Sequence, residues 1–177
     1  NLPSTVVGYQ HGNAIDGNTQ YIGETSGRIR RSDDGGATHV TQSAGFANKV
    51  YSSSFLNGTT GWVGAGSGDL AKTTDSGATW THLDTKMKED ILSVQFLNAT
   101  TGYLMGGWGT VLKSTDGGSN WMSKSSNDIY AMATNDGTTM WASGRYGVRK
   151  STDAGVTWAP AARGMSRTDF FDIKFID

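Results

Sequence analysis

The sequence predicts an all-β fold in which four-stranded antiparallel units repeat along one chain. Two observations carry this expectation. A short motif returns four times at a nearly constant step, and the residues between its copies alternate brief apolar runs with glycine-rich turns. The copies occupy residues 32–39, 73–80, 114–121 and 151–158 and share the pattern S/T-x-D-x-G-x-T/N-W. Their aspartates stand at 34, 75, 116 and 153, so the steps are 41, 41 and 37 residues. Steps of about 40 to 45 residues are those of a four-stranded propeller blade.

The strands follow from this register. A short strand precedes each motif, at Gly27–Arg31, Gly68–Lys72, Gly109–Lys113 and Gly147–Lys150. Upstream lies a second strand with an aromatic at a matching place: Tyr21, Trp62, Tyr103 and Trp141. A third ends in a turn, as in Phe55-Leu56-Asn57-Gly58-Thr59-Thr60-Gly61 and Phe96-Leu97-Asn98-Ala99-Thr100-Thr101-Gly102. A fourth begins at the aromatic that closes the motif, so each unit has strands A to D.

Residue types within the motif fit a turn. Aspartate accepts hydrogen bonds from nearby backbone N–H groups, glycine adopts φ > 0, serine or threonine adds a second local bond, and tryptophan anchors the turn. Asp34, Gly36, Asp75, Gly77, Trp80, Asp116, Gly118, Trp121, Asp153, Gly155 and Trp158 are therefore expected to be structural.

Composition narrows the function classes. At 177 residues the chain reads as one domain, 1–177. Fifteen Lys and Arg against 16 Asp and Glu give a net charge of −1, which offers no bulk attraction for nucleic acid or an anionic membrane. Cysteine is absent, which removes disulfides and thiolate chemistry, and no apolar stretch is long enough to span a membrane. His11, His39 and His82 are scattered and no EF-hand ligand set is complete, so no metal or cofactor is expected. The start at Asn1-Leu2-Pro3-Ser4 has no initiator methionine, consistent with a processed or excised product.

The four motifs resemble the Asp-box, or bacterial neuraminidase repeat, found in sialidases, sortilin-type receptors, certain endoglucanases and photosystem II assembly factors. The wider phrases, Phe-Leu-Asn-x-Thr-Thr-Gly-Trp/Tyr and Leu-Lys-Ser-Thr-Asp-Gly-Gly, look most like the photosystem II assembly and stability factor branch. That resemblance implies a propeller with the box at a structural C–D hairpin, a non-catalytic partner-binding role and an extracytoplasmic setting. His39 replaces the box tryptophan in the first copy and Asn120 the threonine in the third.

The register begins and ends within a unit. Ala14 aligns with Phe55 and Phe96, and Phe171–Asp177 matches an innermost strand. Closed propellers have about four to eight blades. Three completions stay open: further blades of a larger propeller, a ring sealed by the chain's own ends, and self-association with an identical chain.

Catalytic readings find little support. Sialidase chemistry needs an arginine cluster, a Tyr–Glu pair and an acidic donor, yet glutamate occurs only at 24 and 89. Asp69, Asp84, Glu89, Asp90 and Asp128 are the carboxylates from which a glycosidase pair would be drawn, and all fit exposed loops. Asn57-Gly58-Thr59 and Asn98-Ala99-Thr100 match the glycan acceptor pattern but sit in one recurring A–B turn, which explains them by turn chemistry.

In an antiparallel meander the A–B and C–D connections share one face, and the B–C and D–A connections share the other. The latter vary among copies and hold the candidate binding residues: Glu24, Trp108, Arg145 and Tyr146 in B–C turns, and Lys86, Lys88, Glu89, Arg163 and Arg167 in D–A links. The expected partner is a protein or a glycan. Two alternatives remain, a structural component of an extracellular or virion assembly and a part of an Asp-box glycoside hydrolase or sialidase.

Overall fold

The computed structural model describes residues 9–124, 129–134, 136–144 and 147–161. These residues form four four-stranded antiparallel sheets, each a meander in chain order, with no α-helix among them. The first blade contains β1 (Tyr9–Ala14), β2 (Gln20–Glu24), β3 (Arg28–Ser32) and β4 (Val40–Ser43). The second contains β5 (Val50–Phe55), β6 (Gly61–Ala65), β7 (Leu70–Thr73) and β8 (Thr81–Leu83). The third contains β9 (Ile91–Phe96), β10 (Gly102–Gly106), β11 (Val111–Ser114) and β12 (Met122–Lys124), and the fourth β13 (Ile129–Thr134), β14 (Met140–Gly144), β15 (Gly147–Ser151) and β16 (Ala159–Pro160).

Third-strand starts depart from the sequence expectation in the first three blades, and in the first Gly27, at φ 76°, stays outside β3. The glycines expected to open the third strands of blades two and three lie instead in 3-10 turns, Gly66–Gly68 and Gly107–Gly109. Gly68 and Gly109 have φ of 78° and 80°, outside the extended region, so pairing starts only at Leu70 and Val111. The fourth strands likewise begin one residue after the motif's aromatic, and Trp80, Trp121 and Trp158 pack against the inter-blade clusters.

That packing uses one device repeatedly. The second-strand aromatic of each of the first two blades stacks on the phenylalanine that ends the next blade's first strand. Tyr21 lies on Phe55 with centroids 3.8 Å apart, and Trp62 on Phe96 at 3.6 Å. Each phenylalanine meets its own blade's box tryptophan edge-on, Phe55 with Trp80 and Phe96 with Trp121. A cation from the third strand stands over the second-strand aromatic of each blade: Arg31 over Tyr21, Lys72 over Trp62, Lys113 over Tyr103 and Lys150 over Trp141.

The glycine before the aromatic is part of the same packing. A Cβ at Gly61 or Gly102 would overlap the ring of Phe55 or Phe96. The run from phenylalanine through glycine to aromatic therefore builds two successive junctions at once. Three apolar clusters result, one per junction, centred on Tyr21 and Val63, on Trp62 and Leu104, and on Tyr103 and Met140.

Two hydrogen-bond patterns hold the ends of the blades. In every A–B turn an Asp or Asn Oδ1 accepts two backbone N–H bonds: Asp16, Asn57, Asn98 and Asp136. In every C–D turn the first hydroxyl accepts from a glycine N–H and donates to the aspartate, whose carboxylate also accepts from the backbone four residues on. For the second blade these are Gly77 N to Thr73 Oγ1 at 2.8 Å, Thr73 Oγ1 to Asp75 Oδ1 at 2.9 Å and Thr79 N to Asp75 Oδ1 at 2.8 Å. The two turns are joined, as by the Ser76 N–H donating to the Thr59 carbonyl at 2.9 Å, with counterparts in the other three blades.

Candidate functional site

The box aspartates are occupied within their own turns. Asp34, Asp75, Asp116 and Asp153 each accept from a backbone N–H and from two side chains, Asn120 replacing threonine in the third. These bonds, above all those from Thr157 and Asn120, hold the carboxyls of Asp153 and Asp116 at about 2, and they lower Asp34 and Asp75 too. Such groups are ionised and fully bonded at neutral pH, which suits a turn and not a proton donor.

Hydrogen bonds join the opposite ends of the blades into a rim. The Gly66 N–H donates to the Lys49 carbonyl at 3.2 Å, and the Gly107 N–H to the Asp90 carbonyl at 3.1 Å, so the same link-to-turn bond recurs one blade later. Asp90 Oδ1 also accepts from the Ser67 N–H at 3.1 Å, which ties the link to the preceding blade's B–C turn. Thr85 Oγ1 donates to the Gly68 carbonyl at 2.9 Å.

The structure places the sequence-derived candidates unequally along this rim. Glu89 accepts from Thr110 Oγ1 and, at 3.2 Å, from the Lys88 N–H, and the Thr110 bond lowers its carboxyl from the usual range. Lys86 is exposed, bonds Asp84 through both its backbone and its ammonium, and holds φ at 60°. Trp108 stands at the centre of the turn Gly107–Gly109. Glu24 is only 7% exposed and is held by Arg30 and Ser26 inside the first blade, so it does not share the open rim. Arg145, Tyr146, Arg163 and Arg167 lie outside the described residues, as does Asp128.

Lys86 and Glu89 border a groove between the second and third blades. It has a volume of about 540 Å³ and runs from the rim to the third box turn, with Met87, Leu112 and Trp121 among its apolar lining and Thr110, Ser119, Asn120 and Ser123 among its polar lining. Sequence reasoning did not single out Thr110 or Ser123. The signal was present in the repeat register, where Ser123 takes the place of His82.

No protein-family model and no curated protein matches the chain. Solved structures do. YCF48 bound to D1 peptide superposes with a TM-score of 0.75 at 18% identity, over 98% of this chain and 58% of that one. The chain has a β-propeller fold. An ancestral GH74 enzyme gives a TM-score of 0.71 at 21% identity over 89% of this chain and 24% of that one. The GH74 xyloglucanase from Xanthomonas campestris gives 0.66 at 12% identity, over 90% and 32%. The propeller described here thus spans a little over half of the YCF48 chain and a third or less of the two enzymes.

Among the described residues no group of three or more His, Asp or Glu side chains is placed to hold a metal ion, and no helix is long and apolar enough to cross a membrane.

Proposed function

We propose that this chain is a non-catalytic propeller platform that receives a polypeptide on the rim formed by its B–C turns and D–A links. The observation that carries this reading is the rim itself. Its backbone is held by repeated inter-loop hydrogen bonds, while the side chains it presents differ from blade to blade. A fixed backbone with varied side chains lets a partner bind without a large ordering cost. The YCF48 propeller holding a D1 peptide supports a polypeptide as the class of partner. The commitment of the box aspartates to their turns supports a non-catalytic role. By sequence register Arg145 and Tyr146 belong to the fourth B–C turn, and Arg163 and Arg167 to the following link; they join Lys86, Lys88, Glu89 and Trp108 as contact residues.

The test compares the two ends of the blades. A partner isolated by affinity capture from the source organism is titrated against K86A/K88A, W108A and R145A/Y146A variants, and against A37E/A78E at the box end. Loss of about tenfold or more in affinity in the first group alone supports the reading. Loss confined to A37E/A78E overturns the choice of face. Turnover of xyloglucan or a sialoside by the purified chain overturns the non-catalytic assignment.

A further inference from the structure

The first inter-blade junction shows what the second one lacks. Between blades one and two, the His82 ring lies edge-on to Phe46 with centroids 5.4 Å apart, and its Nε2 is 2.6 Å from the Ala44 carbonyl. The ring covers Phe46, which is 8% exposed. One repeat later the link Ala44-Gly45-Phe46 becomes Thr85-Lys86-Met87, and His82 becomes Ser123. Serine is too short to lie across the link. Met87 is left partly exposed, and the space opens as the groove of about 540 Å³.

The Trp121 indole Nε1 in the groove wall is buried without a hydrogen-bond partner, as is that of Trp80 at the first junction, so the indole serves as a reporter. One further observation marks this groove. Lys86 on its edge keeps the left-handed backbone that Gly45 has in the preceding link, φ 60° against 78°, although a Cβ makes that conformation unfavourable. A strained non-glycine residue at the lip of a groove fits a site whose shape is retained for a ligand.

We propose that this groove takes a planar ring bearing an N–H donor, the imidazole of a histidine on a partner polypeptide. The ring stands over Met87 as His82 stands over Phe46, and donates to the Thr85 carbonyl as His82 does to that of Ala44. Methionine suits this place, since its thioether packs favourably against aromatic rings. The assignment rests on the rim being the binding face, because the link that edges the groove is part of that rim.

The probe is the capped tripeptide acetyl-Gly-His-Gly-amide, titrated into the ¹⁵N-labelled full chain, with the alanine and phenylalanine tripeptides as controls. The Trp121 indole N–H, assigned with W121F, is expected to shift and saturate with the histidine peptide in the millimolar range, and about tenfold more weakly with either control. S123H, which supplies the ring from within, is expected to abolish the response while keeping its thermal midpoint. H82S is expected to open a second site reported by the Trp80 indole. No shift of Trp121 with the histidine peptide, or an equal shift in S123H, overturns the proposal, as does an H82S variant without the second response. If rim variants still lose partner affinity when the peptide fails, only the groove assignment falls.

Discussion

Glu24 and Arg30 form an ion pair on the first blade at positions where the second blade carries Ala65 and Ala71. The carboxylate is 7% exposed as a residue and also accepts from Ser26 Oγ at 3.1 Å, while the Arg30 side chain is 26% exposed. A mostly buried charge tolerates loss of its partner poorly, whereas replacing both partners by apolar residues is often neutral. E24A is therefore expected to lower stability by about 1–2 kcal/mol, reduced from the fully buried figure because Arg30 reaches solvent. E24A/R30A, which installs the residues of the second blade, is expected to recover most of that loss. Urea denaturation of the double-mutant cycle measures this, and strictly additive single losses would refute the coupling.

The stacked rings predict a larger effect. Phe96 lies on Trp62 and meets Trp121 edge-on, so F96A empties one side of both indoles and is expected to cost about 3–4 kcal/mol. G102A is expected to be destabilising as well, because the added methyl overlaps the same ring. Chemical denaturation of both variants checks this, and a loss below about 1 kcal/mol for F96A would show that the stacked ring contributes little to stability.

Acid lability follows from the box carboxyls. Their folded-state values lie below the ordinary 3.8, at about 2 for Asp116 and Asp153, so the unfolded chain binds more protons in the interval between. This contribution to stability is complete above the unfolded value and is lost as pH falls from about 4 to about 2. D116N is expected to be less stable than wild type at pH 7 and to show a shallower loss over that window. Thermal midpoints taken between pH 7 and pH 2 would contradict this if the two curves stayed parallel.

One backbone position offers a gain. The box turn places two successive residues at positive φ, and the first is Gly35, Ser76, Gly117 and Ala154 in the four copies. Alanine has no polar side chain to compensate at φ 57°, so A154G is expected to stabilise by about 0.5–1 kcal/mol. An unchanged or lower thermal midpoint would show that the added freedom of the unfolded chain outweighs the relief.

The fold was readable because its signals are local and repeated. The Asp and Gly of each box, the asparagines at 57 and 98, and the aromatics at 21, 62 and 103 each act within a turn or one junction, and recurrence exposes their register. The third-strand starts were misplaced because Gly68 and Gly109 close 3-10 turns, which the sequence expresses only as more glycine. The site was less readable. Lys86 and Glu89 do border a groove, but Glu24 turns inward to Arg30, and no pattern of residue types forecasts which way a carboxylate at a strand end will face. The groove itself arises from an exchange of histidine for serine at one register position, visible only when the copies are compared for volume.

The inter-blade clusters have a consequence for cooperativity. Each draws its residues from two consecutive blades, so the free energy of this β array behaves as a chain of nearest-neighbour couplings, like magnetic spins in a row. The second and third blades each share two such couplings. Amide exchange in β6 and β10 is then expected to speed up when either adjoining cluster is damaged. A lesion at Trp62 and Phe96 would divide one cooperative transition into two, turning a single melting event into a pair of separable ones.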